Sequence, residues 1–462
     1  SVPIVISLRG GALNADTDYG IINVSAKGAM TTGQIDNTNG EIKLYADTNI
    51  EALNGGSLIK GAVIKLTAGG RIGSSNQALR IDSQTSLQAV ATGDINIVET
   101  TGNLNLDTVS SSNGTVKLES ASGSIVDANN TGEINGIASG LIVVAWNKQN
   151  LSGSVTAAQI DQLLRGAMAE ITNSTTRIEQ SNVNANAITL KASADIGNIA
   201  DVRVDLPANI SDLNSNYLMN IACAEPQDIV YYGSDGAQID PANNSKAVAY
   251  VIIKQRQDVD VESSGRVDAE AGGSLYLGSN GNIYLGTIKG NETRIKSGTG
   301  IFIAGSGTIS CADLLLEASG GPIGTIEAPV AINMISTSSL TSRAAENIFL
   351  QGVSGNSRTG ALNINFIYTS GDVTLSATDF IGDGRSGNSE NIKAASLTVN
   401  NAGSVGSNSN YLMIELPDAG ALYAKASGNI YIYELTGNIN LDLVSSNSGD
   451  VYLKANNSII GC

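Results

Sequence analysis

The side chains here that could do chemistry are carboxylates, hydroxyls and three thiols, because the chain contains no histidine. Ser-His-Asp and Cys-His nucleophilic catalysis and histidine-ligated metals are thereby excluded. Carboxylates are numerous but fall singly at turn positions, as at Asp94, Asp107, Asp127 and Asp372. Two of them brought about 5 Å or about 6.5–9.5 Å apart by neighbouring turns of the chain would form the pair a glycosidase uses. Residue spacing leaves that pairing open. The run 379–390, DFIGDGRSGNSE, gathers Asp379, Asp383, Asn388 and Glu390 as oxygen ligands of the kind Ca²⁺ takes. It matches neither EF-hand spacing nor the GGxGxDxUx nonapeptide, and reads as a polar loop. Glycine runs such as SGTGIFIAGSG at 297–307 lie between strand-like segments with no helix following, so they are corners and not nucleotide cradles. No residue is assigned a catalytic, cofactor-binding or metal-binding role, and no cofactor is expected.

Cys223, Cys311 and Cys462 are odd in number and lack metal-ligand spacing. If the chain winds in stacked turns, Cys223 and Cys311 lie roughly four turns apart at ~4.8 Å each, beyond disulfide reach unless a loop folds back. Isolated buried thiols are the expectation. Sequons at Asn113, Asn150, Asn173 and Asn291 are what chance yields in so polar a chain, and carry sugar only where a transferase is present. The net charge of −17 argues against nucleic acid and anionic membrane as partners, since both need Lys and Arg to neutralise phosphate. No apolar stretch approaches the roughly 20 residues that span a bilayer, and the opening SVPIVISLRGG lacks the parts of a signal peptide. The chain opens and closes in mid-pattern, which suggests a piece of a longer polypeptide.

What must position these residues is a repeat. The segments 72–126 and 405–460 run in parallel, with Gly102, Leu106, Gly114 and Leu118 matching Gly437, Leu441, Gly449 and Leu453 at one offset (437 − 102 = 335). A looser copy begins at Ile323 and continues at 360. The local unit is G-x-[LIV]-x-[LIV], as in GDINI at 93–97, GNLNL at 102–106, GNIYL at 281–285, GDVTL at 371–375 and GNIYI at 428–432. Alternation at period two marks strands with one buried face, here three to five residues long and punctuated by Gly, Asn, Asp and Ser. With 52 Gly, 4 Phe and 1 Trp, the core must be thin and filled by Ile, Val, Leu and Ala. Consecutive translational repeats without intervening helices indicate an all-β, right-handed parallel β-helix, a β-solenoid, of roughly seventeen to twenty rungs and about 80–95 Å. Inward stacks are expected at Ile95, Ile97, Leu104, Leu106, Val116 and Leu118, with counterparts Ile430, Ile432, Ile439, Leu441, Val451 and Leu453. Corner Asn side chains are expected to form ladders of hydrogen bonds.

The whole of 1–462 reads as one continuous solenoid segment with two departures. The first, 146–180, holds the single Trp and a helical pattern at Ile160, Leu163, Leu164, Ala167, Met168 and Ile171, with Ser154 or Thr156 as its cap. This predicts a small helix-bearing excursion on the flank. The second, 206–246, holds three of the seven prolines and reads as an irregular looped-out segment, with the coil resuming near Ala247.

The order IGSxxxxLxI, LxAxAxGDIxI, GxLxL, VSSxxGxVxLxAxxSI resembles the passenger region of large filamentous haemagglutinin-like surface adhesins of diderm bacteria, most nearly the leukotoxin-type filamentous adhesins. The run 183–197 after the first departure and DVDVESSGRVDAEAGGSLYLGSNGNIYLG at 258–286 are similar to that family too. The resemblance covers most of the chain and lies in scaffold residues. It implies a secreted, non-enzymatic extracellular fibre segment, an adhesin or structural filament at the cell surface, exported through an outer-membrane secretion pore. Its expected partners are further copies or further length of the same fibre and host or bacterial surface glycans or proteins, with no nucleic acid and no membrane insertion. Binding would lie in what departs from the rungs, including an exposed Tyr231 and Tyr232. A polysaccharide-active β-helix enzyme, a secreted leukotoxic or cytolytic protein and the delivery stalk of a contact-dependent toxin stand as alternatives.

Overall fold

The computed structural model describes residues 4–5, 11–129, 154–156, 180–208, 229–240, 246–335, 337–355, 359–385 and 389–461. They form a parallel β-solenoid of about 18 turns, with no helix among the described residues. At ~4.8 Å per turn the coil is about 85 Å long. One inward column shows how the alternating residues build it. Met30, Ile50, Ile72, Ile95, Val116, Ile188, Val267, Leu285 and Ile303 are register partners in succession, each on the next turn. Nearly all are fully buried, and each such Ile or Leu contributes roughly 1.5–3 kcal/mol of apolar burial. Within this column Val116 pairs with Ile188 and Ile188 with Val267, although 72 and 79 residues separate them (188 − 116; 267 − 188). Both departures therefore leave the stack unbroken.

The expected inward residues at 95–118 are all buried, as are Ile430, Ile432 and Ile439. Val451 keeps the register, opposite Ile430, yet is 41% exposed. Among the described residues it is flanked by a turn on one side only. Strands are longer than the three to five residues expected, reaching 17 in Met30–Ala46 and 13 in Leu79–Ala91. The pairing runs through the polar corners, because the corner residues bond to equivalent corners one turn on.

Those corners explain the recurring Asp or Asn just before a strand's first inward residue. The side-chain oxygen accepts from a backbone N–H of the next turn: Asp94 Oδ1 from Thr115 at 2.8 Å, Asn103 Oδ1 from Ser124 at 3.0 Å, Asn347 Oδ1 from Asp372 at 2.8 Å and Asn429 Oδ1 from Asp450 at 2.7 Å. The expected ladder exists, but runs from backbone to side chain. This satisfies donors that strand pairing leaves over at the bends.

A second recurrent device is an [IV]-G kink. Ile72-Gly73, Ile196-Gly197, Ile323-Gly324 and Val405-Gly406 each carry glycine at positive φ, between 61° and 84°. Each glycine N–H bonds back to the preceding turn. The strand of the following turn bridges the kink, pairing with residues on both sides of it. Ile95 and Ile97 face Ile72 and Leu79, Leu275 and Leu277 face Ile196 and Val259, Ile348 and Leu350 face Ile323 and Val330, and Ile430 and Ile432 face Val405 and Leu412. Three kinks close over a few residues. The second opens into a side sheet.

That sheet has four antiparallel strands: Asn198–Asp205, Tyr250–Gln257, Ile229–Tyr232 and Gln238–Ile239, in that spatial order. The parallel coil resumes at Val259 rather than near Ala247, since Tyr250–Gln257 pairs with Asn198–Asp205 and not with a rung. Of the first departure only 154–156 and 180 are described, so the helix expected there lies outside the described residues. Thr156 bridges Ala247 antiparallel and Val155 is buried, accepting from the Val248 N–H at 2.8 Å, so the two departures touch.

Candidate functional site

The side sheet meets the coil at a polar cleft of about 400 Å³. Arg256 reaches it from Tyr250–Gln257. The coil supplies Glu292 and Arg294 from Glu292–Ser297, Asp313 and Leu315 from Asp313–Ala318, Thr341 from Leu340–Ala344 and Asn365 from Leu362–Thr369. These four strands lie on successive turns, so the cleft runs along the coil axis. Period-two alternation puts Glu292 and Arg294 on the outer side of their strand, while Thr293 and Ile295 point inward.

Glu292 is the hub. Its Oε1 accepts from Arg256 Nε at 2.6 Å and Arg294 Nε at 2.7 Å, and its Oε2 from the Tyr276 hydroxyl at 3.1 Å. Burial by itself would raise this carboxyl, but hydrogen bonds and charge from the two guanidiniums outweigh it and hold Glu292 below the usual carboxylate range. Burial is also the leading reason that the Tyr276 phenol lies above its ordinary value. Further along, Asp313 Oδ1 accepts from the Ser339 N–H and hydroxyl at 3.0 and 2.9 Å, and Thr341 Oγ1 from Asn365 Nδ2 at 3.0 Å.

A second cleft of about 490 Å³ adjoins on the same outer face, lined among others by Tyr368, Ser370, Lys393, Glu415, Asp418 and Thr436. Lys393 pairs with Glu415 at 3.2 Å. The register Lys296, Glu317, Arg343, Tyr368, Lys393, Glu415 runs up this face one turn at a time. Asn365 ends the first cleft and Tyr368 begins the second, about 10 Å apart along one strand.

The residues singled out from sequence lie elsewhere. Asp94 is a corner acceptor, and Asp107 accepts from Gln88 Nε2 at 2.5 Å and from the Thr108 hydroxyl at 3.1 Å. Asp127 is buried in a knot where the first departure leaves and rejoins the coil. Its Oδ1 accepts from Asn129 N–H and from Asn182 Nδ2, and Asn182 Oδ1 accepts from Asp260 N–H at 2.8 Å. In the loop flagged for Ca²⁺, Asp383 Oδ1 accepts from Arg385 N–H at 2.7 Å and Asn391 Nδ2 at 2.6 Å, and Arg385 folds over the Phe366 ring at 5.2 Å. Among the described residues no three acidic or cysteine side chains converge as a metal site. Tyr231, expected to be exposed, is 3% exposed because it faces the inside of the side sheet. Tyr232 is half-buried and stacks on Tyr250 at 4.9 Å. Cys311 is a buried thiol in the coil, outside any disulfide, while Cys223 and Cys462 lie outside the described residues.

Sequence reading missed the Glu292 hub. The outward alternation of Glu292 and Arg294 was available, but Arg256 arrives from 36 residues upstream across the kink. It also missed two buried acids, Glu99 and Glu434, which match at the repeat offset (434 − 99 = 335). Glu99 Oε2 accepts from the Ser83 N–H and hydroxyl at 2.8 and 2.9 Å, and Glu434 Oε2 from Leu416 N–H at 3.0 Å. Each also takes an N–H of its own turn, from Thr101 or Thr436. The shared ExTGN motif at 99–103 and 434–438 was the signal.

No protein-family model matches the chain, and no curated protein or solved structure matches it significantly. The coil is compatible with a filamentous adhesin-like passenger, and that resemblance rests on the repeat residues and the fold alone.

Proposed function

We propose that this chain is a segment of a non-enzymatic extracellular fibre, an adhesin or structural filament exported to the surface of a diderm bacterium through an outer-membrane pore. The observation that carries this reading is the unbroken parallel stack of about 18 turns, across which both departures are bridged. Such a scaffold extends along one axis and presents attachments on its sides. The carboxylates support the non-enzymatic part. A general acid for glycan cleavage needs a raised pKa and access to substrate. Glu292 borders a cleft but is held ionised, whereas Glu99 is raised to about 7 but fully buried.

The test is deletion of the encoding gene, followed by attachment to host cells and to sibling cells. The expected result is a several-fold loss of attachment or aggregation, restored by the intact gene. Attachment and aggregation unchanged by the deletion would overturn the reading. Release of reducing sugar from a glycan by the purified chain, lost in a folded Glu292→Gln variant, would instead indicate chemistry at the cleft.

A further inference from the structure

We infer that the outer face carrying the two clefts is a binding groove for a neutral oligosaccharide lying along the coil axis. This names the ligand class for the surface fibre proposed above and rests on that reading for its setting. Every sugar hydroxyl both donates and accepts a hydrogen bond, so it suits a lining in which donors and acceptors alternate. In the first cleft, Arg256 and Arg294 alternate with Glu292 and Asp313, and the Thr341–Asn365 pair follows on the next two turns. Leu315, 7% exposed, provides a small apolar floor among them. In the second, Lys393 and Glu415 stand beside the Tyr368 ring, Ser370 and Thr436. The repeat of the coil places such a group every ~4.8 Å.

Other ligand classes fit poorly. An acidic glycan meets Glu292, Asp313, Glu415 and Asp418 in the clefts and a chain of net charge −17 around them. A peptide adding as a strand needs an open sheet edge. Here the strands that form the floor are already paired on both sides by neighbouring turns. A wholly apolar ligand finds Leu315 among charges in the first cleft, and in the second finds Tyr368, Leu416 and Pro417 interrupted by Lys393, Glu415 and Asp418.

The experiment titrates the full chain by calorimetry with maltohexaose, cellohexaose, mannohexaose and chitohexaose, and with hexagalacturonate as the acidic counterpart. At least one neutral hexaose is expected to bind, more tightly than hexagalacturonate. Thr341→Val with Asn365→Ala removes one hydroxyl and one amide from the groove, and is expected to weaken binding about tenfold or more with an unchanged urea midpoint. Should that variant fail to fold, hydrogen exchange on the unaltered chain gives the second reading. Saturating sugar is expected to slow exchange in 292–296, 313–317 and 339–343. No binding by any neutral hexaose, tighter binding of hexagalacturonate, equal affinity in a folded double variant, or protection confined to turns that line neither cleft would each overturn the groove. Gene deletion that abolishes attachment while no sugar binds removes the groove alone. Sugar binding with attachment intact after deletion removes the adhesive role alone.

Discussion

Replacing Gly406 by alanine is expected to destabilise the coil by about 2–5 kcal/mol, the sum of a left-handed backbone cost and a steric one. Gly406 sits at φ +61°, where an L side chain costs about 1–2 kcal/mol. A Cβ there would also collide with the Tyr431 carbonyl oxygen of the next turn and approach the Tyr431 Cβ within 3.2 Å. The next strand cannot retreat, because Ile430 and Ile432 are held by pairing on both sides of the kink. Gly102 separates the two costs. It lies at φ +78° with nothing near a prospective Cβ, so Gly102→Ala is expected to cost only about 1–2 kcal/mol. Urea unfolding of the two variants against the unaltered chain, at equal m-value, checks this. Equal and small shifts would show that the kink yields to a methyl group.

A pH dependence of stability follows from the buried acids. Burial raises Glu99 from 4.5 to about 7, against the opposing hydrogen bonds from Ser83 and Thr101, and nearby Asp82 raises it further. Glu434 is raised too, again chiefly by burial. A carboxyl whose folded pKa lies above its unfolded value binds its proton more tightly when folded. Its contribution is complete below pH 4.5 and is lost as pH rises through about 7. For Glu99, which is fully buried, the loss amounts to about 3 kcal/mol. The chain has no histidine, so little else titrates between pH 5 and 7.5. Stability is therefore expected to fall from pH 5 to pH 8. Glu99→Gln keeps an oxygen for the Ser83 N–H and should remove most of that slope, with Glu434→Gln removing a further part. Urea midpoints at pH 5, 6, 7 and 8 decide the matter, and an identical slope in Glu99→Gln would refute the assignment.

The coil was legible because its physics is local. Alternation at Ile95, Ile97, Leu104 and Leu106 fixes which side chains point inward, and the 335-residue offset fixes which turns correspond. The corner Asp and Asn were legible as turn residues, although not as acceptors for the next turn. The side sheet was read too short because NIADVRVD and YVIIKQRQ alternate as coil strands do. Period two records that one face is buried, and it is silent on whether the partner is a rung or an antiparallel neighbour. Tyr231 was misplaced for the same reason. The Glu292 hub depends on Arg256, whose proximity is set by where the chain returns from the kink. Glu99 and Glu434 occupy inward positions where alternation calls for an apolar side chain, so only the repeat itself could have marked them.

The coil is one uninterrupted scaffold, and the side sheet rides on its flank. A graft tests it most directly. Residues 198–258 are replaced by SSNQA, the short connection at 74–78, so that Gly197 leads into Val259 as Gly73 leads into Leu79. Cryo-electron microscopy of the grafted protein is expected to show a rod of unchanged length, about 85 Å for this chain, with the ~4.8 Å axial repeat continuous through the graft. A rod broken at that turn, or a chain that no longer forms one, would show that the side sheet is an integral part of the scaffold.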